Sequence, residues 1–154
     1  MSSPEGTRDL VGIACDHGGF ELKKRLVELL DEWGYTCEDL GTNGPEAVDY
    51  PDYAAKIVEG VKEGRFDKGI LICGTGIGMS MAANRHRGVR AALCTSSYTA
   101  RMARAHNDAN VLCLGGRVTG PGAAEDILKT FLEAGFDGGR HSGRVAKFDQ
   151  GGGT

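Results

Sequence analysis

The chain has 154 residues, 40% of them apolar and 25% charged, with a formal net charge of −3. A chain of that size buries about 70% of its unfolded surface as one domain, which excludes a disordered or collagen-like polypeptide. The charge balance gives no electrostatic case for nucleic acid or an anionic membrane surface, and no stretch approaches the ~18 consecutive apolar residues of a membrane span.

Residues 1–8 and 151–154 are small and polar and are expected to be flexible tails around one domain, 9–150. Leu10–Cys15 is an apolar run that predicts a buried strand. Apolar residues at Phe20, Leu22, Leu26, Leu29, Leu30 and Trp33 predict an amphipathic helix, with Gly34 placed to stop it. Tyr35–Leu40 reads as a more polar strand near a sheet edge. Pro51 suits the first turn of a helix running to about Glu63, ended by Gly64. Lys68–Cys73 reads as a strand buried on both faces, and Gly74-Thr-Gly-Ile-Gly leads into a helix through about Asn84. Val89–Cys94 predicts strand four, Ser97–His106 a helix, Asn110–Leu114 strand five, and Pro121 to Ala134 a last helix. Five β-α units predict one doubly wound, Rossmann-like α/β domain: a five-stranded parallel sheet between two helical layers. Such sheets place ligands beyond the C-terminal ends of their strands.

Glycine is enriched, at 25 residues, and falls mostly at predicted element ends. The five cysteines (Cys15, Cys37, Cys73, Cys94 and Cys113) are odd in number, with no CxxC pair. They fit reduced, buried thiols, and the N-terminus has no apolar signal region, so a cytoplasmic location is expected.

The segment Cys73-Gly-Thr-Gly-Ile-Gly-Met-Ser follows an apolar strand and opens a helix. Gly74, Gly76 and Gly78 let backbone N–H groups converge on an anion. No Lys is present for a Walker loop. A dinucleotide fingerprint needs GxGxxG and an acidic end to the next strand, whereas here the spacing is GxGxG and that strand ends in Cys94-Thr95. An enediolate oxyanion or a small phosphate remains. Cys73 sits beside these N–H groups, an environment that favours a thiolate, and a thiolate can act as general base toward a carbon acid. His17 follows Asp16 at a strand end; His106 lies where a helix gives way to strand five; His86 resembles a solvated turn residue. Arg140, His141 and Arg144 concentrate positive charge in an acidic protein, with the two arginines four apart, and Arg117 follows Gly115-Gly116. Arg binds phosphate through a planar fork. No zinc, HExxH or EF-hand spacing occurs, so neither a metal nor another cofactor is expected.

Six motifs stand in order: Cys15-Asp-His-Gly-Gly-Phe, Asp49-Tyr-Pro-Asp-Tyr-Ala, Ile72-Cys-Gly-Thr-Gly-Ile-Gly, His106-Asn-Asp-Ala-Asn-Val, Gly115-Gly-Arg and Gly139-Arg-His-Ser-Gly-Arg. Together, from about Val11 to Phe148, they resemble the type B ribose-5-phosphate isomerase family, which includes allose- and galactose-6-phosphate isomerases. The resemblance implies metal-free interconversion of ribose 5-phosphate and ribulose 5-phosphate through a cis-enediolate. It makes Cys73 the base, Thr75 a proton carrier between O1 and O2, the Gly74–Gly78 amides an oxyanion hole and His106 the ring-opening residue. Asn107 and Asp16 would bind sugar oxygens and Tyr50 would line the pocket. His17, Arg117, Arg140 and Arg144 would hold phosphate, with His141 beside them. One family branch uses a Glu base at the position of Met79, so this chain belongs to the Cys branch. The resemblance also implies a homodimer with sites shared between subunits, the 106–117 region reaching across. Two alternatives stay open: a 6-phosphohexose isomerase and a non-catalytic phosphate-binding module of flavodoxin-like shape. A thiol-redox role is disfavoured, because Cys73 has no neighbouring resolving cysteine in sequence.

Overall fold

The computed structural model describes residues 10–151, so the N-terminal tail expected at 1–8 and all but the first residue of the C-terminal tail lie outside the described residues. Five strands form one parallel sheet: β1 (Leu10–Cys15), β2 (Thr36–Asp39), β3 (Lys68–Cys73), β4 (Ala91–Leu93) and β5 (Val111–Gly115), in the order β2-β1-β3-β5-β4. The hydrophobic runs take the centre. β3 and β5 are buried throughout and β1 from Val11 onward, whereas the polar Thr36–Asp39 lies at one edge, where the sequence placed it.

Helices α1 (Phe20–Glu32), α4 (Ser97–Asn107) and α5 (Pro121–Glu133) cover one face; α2 (Tyr50–Lys62) and α3 (Ile77–Ala83) cover the other. The period-two alternation of strands divides the core accordingly. Ile70 and Ile72 of β3 point with Ile13, Leu112 and Leu114 toward Leu26, Leu30, Ile127 and Phe131. Leu71 and Cys73 point with Ala14 and Cys113 toward Ile57, Val58 and Met79. The three-layer α/β/α architecture follows the expected pattern.

Three details differ from the sequence expectations. Strand four is shorter, because Val89 and Arg90 precede the ladder: the Arg90 N–H donates to Asn110 Oδ1 at 2.8 Å, and its carbonyl accepts from Asn110 and Val111. The helix after Cys73 begins at Ile77, one residue before the end of the glycine segment expected to lead into it, because Gly74–Gly76 complete the turn, with Gly76 at φ +83°, a conformation open to glycine. Finally, α5 is not the last helix. Arg140–Gly151 forms α6 against α4, and Gly151, expected to begin the tail, ends that helix.

Lys23 is a feature that the hydrophobic pattern did not signal. Its ammonium group is fully buried and donates to Asp39 Oδ1 at 2.7 Å, to the Thr42 carbonyl at 2.6 Å and to Asn43 Oδ1 at 3.1 Å. Three acceptors satisfy its three donors and tie α1 to the chain leaving β2. Lys23→Met keeps the buried stem but strands those acceptors; urea unfolding should show a loss of about 2 kcal/mol with an unchanged m-value.

Candidate active site

The C-terminal ends of β1, β3 and β5 meet main chain to main chain. The Asp16 N–H donates to the Ile72 carbonyl at 3.1 Å, Gly116 to Cys73 at 2.8 Å and Arg117 to Gly74 at 3.0 Å. The segments approach so closely that a Cβ on Gly115 would lie 2.6 Å from the Thr75 carbonyl oxygen, and one on Gly116 2.5 Å from that of Gly18.

Cys73 ends β3 with its side chain only 5% exposed. Its side chain packs in the apolar layer with Ala14, Met79 and Cys113, and its Sγ accepts the Gly76 N–H at 3.1 Å. Next to it the Thr75 hydroxyl oxygen accepts the Ile77 N–H at 3.2 Å. The first α-helical bond of α3 runs from the Ser80 N–H to the Gly76 carbonyl at 3.0 Å, so the Gly78 and Met79 N–H groups precede it and have no acceptor within the helix. Met79 itself is fully buried in the core. A Cβ on Gly74 would lie 3.3 Å from Arg117 Nη1, and one on Gly78 2.6 Å from the Tyr50 ring, so a guanidinium and a phenol flank the glycine turn. Asp16 is buried and accepts the Gly18 N–H at 2.8 Å. His17 Nδ1 accepts the Val48 N–H at 3.3 Å, which fixes the neutral tautomer with its proton on Nε2. The structure thus gathers Asp16, His17, Tyr50, Cys73, Thr75, Gly74, Gly76, Gly78 and Arg117 where the sheet rule expects a ligand.

The remaining expected residues stand elsewhere. Helix α4 runs back from β4 to the start of β5, so His106 and Asn107 lie at the N-terminal end of the sheet. One strand length, on the order of 15 Å, separates them from Cys73, which is in register with Gly115 at the far end of β5. There the His106 and His141 rings stack with centroids 4.3 Å apart and planes 12° from parallel. Arg144 joins them around an open cavity of about 460 Å³ that His106, Asn107 and Lys147 also line. Arg140 opens the same helix, α6. Arg117 sits beside Gly74 of its own chain, so residues 106–117 are spread between the two ends of β5. Loss of hydration pushes the His141 imidazole below its ordinary pKa, and the nearby His106, Arg140 and Arg144 act in the same direction.

Two participants carried no sequence signal. The Val48 amide is ordinary main chain whose role depends on how loop 41–49 folds back. Asp137 donates its N–H to the Ala105 carbonyl at 2.9 Å, which brings it to the end of α4. His106, Asp137 and His141 offer ligand atoms that all lie within 4.8 Å of one another, a metal-type grouping assembled from three separate segments.

The other four cysteines are structural. Burial pushes the Cys15 and Cys37 thiols up to about 11 and raises Cys94 and Cys113 as well. All five cysteines are free.

The sequence matches the Ribose/Galactose Isomerase family over residues 11–148, and the chain belongs to that family. It is 47% identical to ribose-5-phosphate isomerase B of Escherichia coli (strain K12) over 88% of this chain and 91% of that one. Among solved structures, it is similar to ribose-5-phosphate isomerase B of Clostridium thermocellum, with a TM-score of 0.90 and 54% identity over 92% of this chain and 95% of that chain. The corresponding figures for the Thermotoga maritima ribose 5-phosphate isomerase are a TM-score of 0.92 and 51% identity over 94% and 99%.

The turn after β3 is sensitive to a single methyl group. A Cβ on Gly76 would lie 2.5 Å from Leu93 Cδ1 and would strain a positive φ. Gly76→Ala should therefore displace the N–H from Cys73 Sγ and reduce isomerase turnover at least tenfold, while circular dichroism reports the native helix content.

Proposed function

We propose that this protein is a ribose-5-phosphate isomerase, interconverting D-ribose 5-phosphate and D-ribulose 5-phosphate. The observation that carries the reading is the Cys73 sulfur, held by the Gly76 N–H at 3.1 Å in a turn walled by main-chain amides. Relatives bearing the ribose-5-phosphate isomerase B name support the pentose over the 6-phosphohexose.

In the open-chain aldose, the Cys73 thiolate takes the C2 proton. The electron pair left behind forms the C1–C2 double bond, and the charge moves onto the oxygen at C1. Thr75 carries a proton between O1 and O2, the sulfur returns its proton to C1, and no external oxidant or reductant is consumed. Within the Gly74–Gly78 turn, Gly76 and Ile77 donate to the Cys73 sulfur and the Thr75 oxygen, and the Gly78 N–H, without an acceptor in the helix, is available to stabilise the enediolate; positioned donors of this kind usually contribute the largest single effect. Asp16, Tyr50 and Asn107 hold sugar oxygens, and His106 opens the ring. His17, through Nε2, acts with Arg117, Arg140, Arg144 and His141 on the phosphate.

This assignment needs two chains, because His106 and Cys73 stand at opposite ends of β5. A homodimer in which each site combines the glycine turn of one subunit with the His106–Arg144 end of its partner meets that requirement. Apolar side chains exposed on the α3, β4 and α4 side support a subunit contact there: Ile77 is 47% exposed, Met81 66% and Tyr98 62%. Five free thiols favour a reducing compartment, the cytoplasm.

Cys73→Ala should cost at least about 10²-fold in kcat, the usual worth of a positioned base, and should abolish deuterium uptake at the substrate carbons in heavy water. Uptake that persists in this variant removes Cys73 as the base, and absence of uptake in the parent protein reduces the chain to a phosphate binder. Arg140→Ala should raise KM while largely preserving kcat. Mixing and reassociating equal amounts of inactive Cys73→Ala and His106→Ala chains should restore about a quarter of the parent activity, because half of the random dimers carry one intact composite site. No recovery would place both residues in one subunit's site.

A further inference from the structure

The isomerase reading uses His106 and His141 and leaves Asp137 without a task. We propose that these three side chains form a binding site for one divalent transition ion of the zinc type, and that an ion there silences ring opening. The end of α4, the α5–α6 connection and the first turn of α6 supply one donor each. Three ligand atoms no more than 4.8 Å apart lie at most about 2.8 Å from a common centre, against roughly 2.0–2.2 Å for zinc bonds to nitrogen and carboxylate oxygen, so each moves inward by less than about 1 Å. The imidazole planes, 12° from parallel, cannot both contain one ion, so one ring rotates about χ2 and the stack opens. The stack and the burial of His141 oppose that movement, but among the described residues none of the three side chains makes a hydrogen bond or ion pair that would hold it.

Two imidazoles and a carboxylate select zinc-type ions over magnesium or calcium, which prefer all-oxygen shells. The adjoining cavity of about 460 Å³ leaves the fourth position to water, as in open zinc sites. Arg144 lines the same cavity and opposes a cation, so affinity falls below that of closed four-ligand sites. Ion binding is independent of the catalytic reading. Inhibition rests on it, because a ligated His106 nitrogen can no longer exchange a proton with the sugar ring oxygen.

Titrating the intact protein with Co²⁺ alone should give one equivalent per chain, with d–d absorption, no thiolate-to-cobalt charge-transfer band, and displacement by Zn²⁺. Asp137→Asn and His141→Gln should each weaken binding at least tenfold, and two variants guard against one that fails to fold. In the parent protein Zn²⁺ should inhibit isomerisation reversibly on chelation; Asp137→Asn should keep its metal-free turnover and need at least tenfold more Zn²⁺ for the same inhibition. No bound cobalt, a thiolate band, or affinity unchanged in both variants overturns the site. Binding that leaves turnover intact overturns the inhibition and, with it, His106 as the ring-opening group, while the metal site stands.

Discussion

Main-chain contact among three strand ends is the constraint on which the candidate site depends. Where β1, β3 and β5 finish, carbonyls and amides of neighbouring turns bond directly to one another, and glycine keeps the gap narrow. This closeness aims the Gly76 N–H at the Cys73 sulfur, and the Ile77 N–H beside it goes to the Thr75 hydroxyl. Charged side chains alone would have to be ordered anew at each encounter with substrate. Main-chain dipoles fixed by a parallel sheet are already in place, which is the condition under which electrostatic stabilisation is most effective.

The sheet order completes the arrangement. Because β4 and β5 run parallel, α4 must travel the length of the sheet before its chain enters β5. Residues only ten positions apart in sequence, Asn107 and Arg117, are thus delivered to opposite ends of one strand. A parallel topology makes such separation unavoidable: whatever follows a strand stands at its top, and whatever closes the preceding helix stands at its bottom. The family's residues consequently form a composite site only between chains in the proposed dimer.

The sequence was most informative where a single physical demand acted. Lys68–Cys73 reads correctly to the residue, because the Ile70–Cys73 run is buried on both faces and a glycine turn stops it. Val89–Cys94 was read too long, since the side chain that pulls Arg90 out of the ladder, Asn110, lies 20 residues away and has no local signature. The glycine turn, its cysteine and the flanking Asp16 and His17 were legible because each set follows its strand directly, and parallel strands bring their C-terminal ends to one edge of the sheet. Asp137 was not, because its meeting with His106 depends on the α5–α6 connection crossing the end of α4. Lys23 was hidden for a different reason: on a helix, a lysine among leucines looks like a solvated position until three oxygens converge on it.

That buried lysine also marks where rigidity stops. It clamps the chain leaving β2 as far as Asn43, after which Val48 returns to touch His17. Between those anchors, residues 44–47 can lengthen, shorten or change character without disturbing sheet, helix or glycine turn, since each doubling of a loop costs only about 0.6 kcal/mol. A fold of this kind therefore holds its strand ends and glycine turn constant while the loop beside His17 varies independently, a division of labour between a fixed frame and a changeable border.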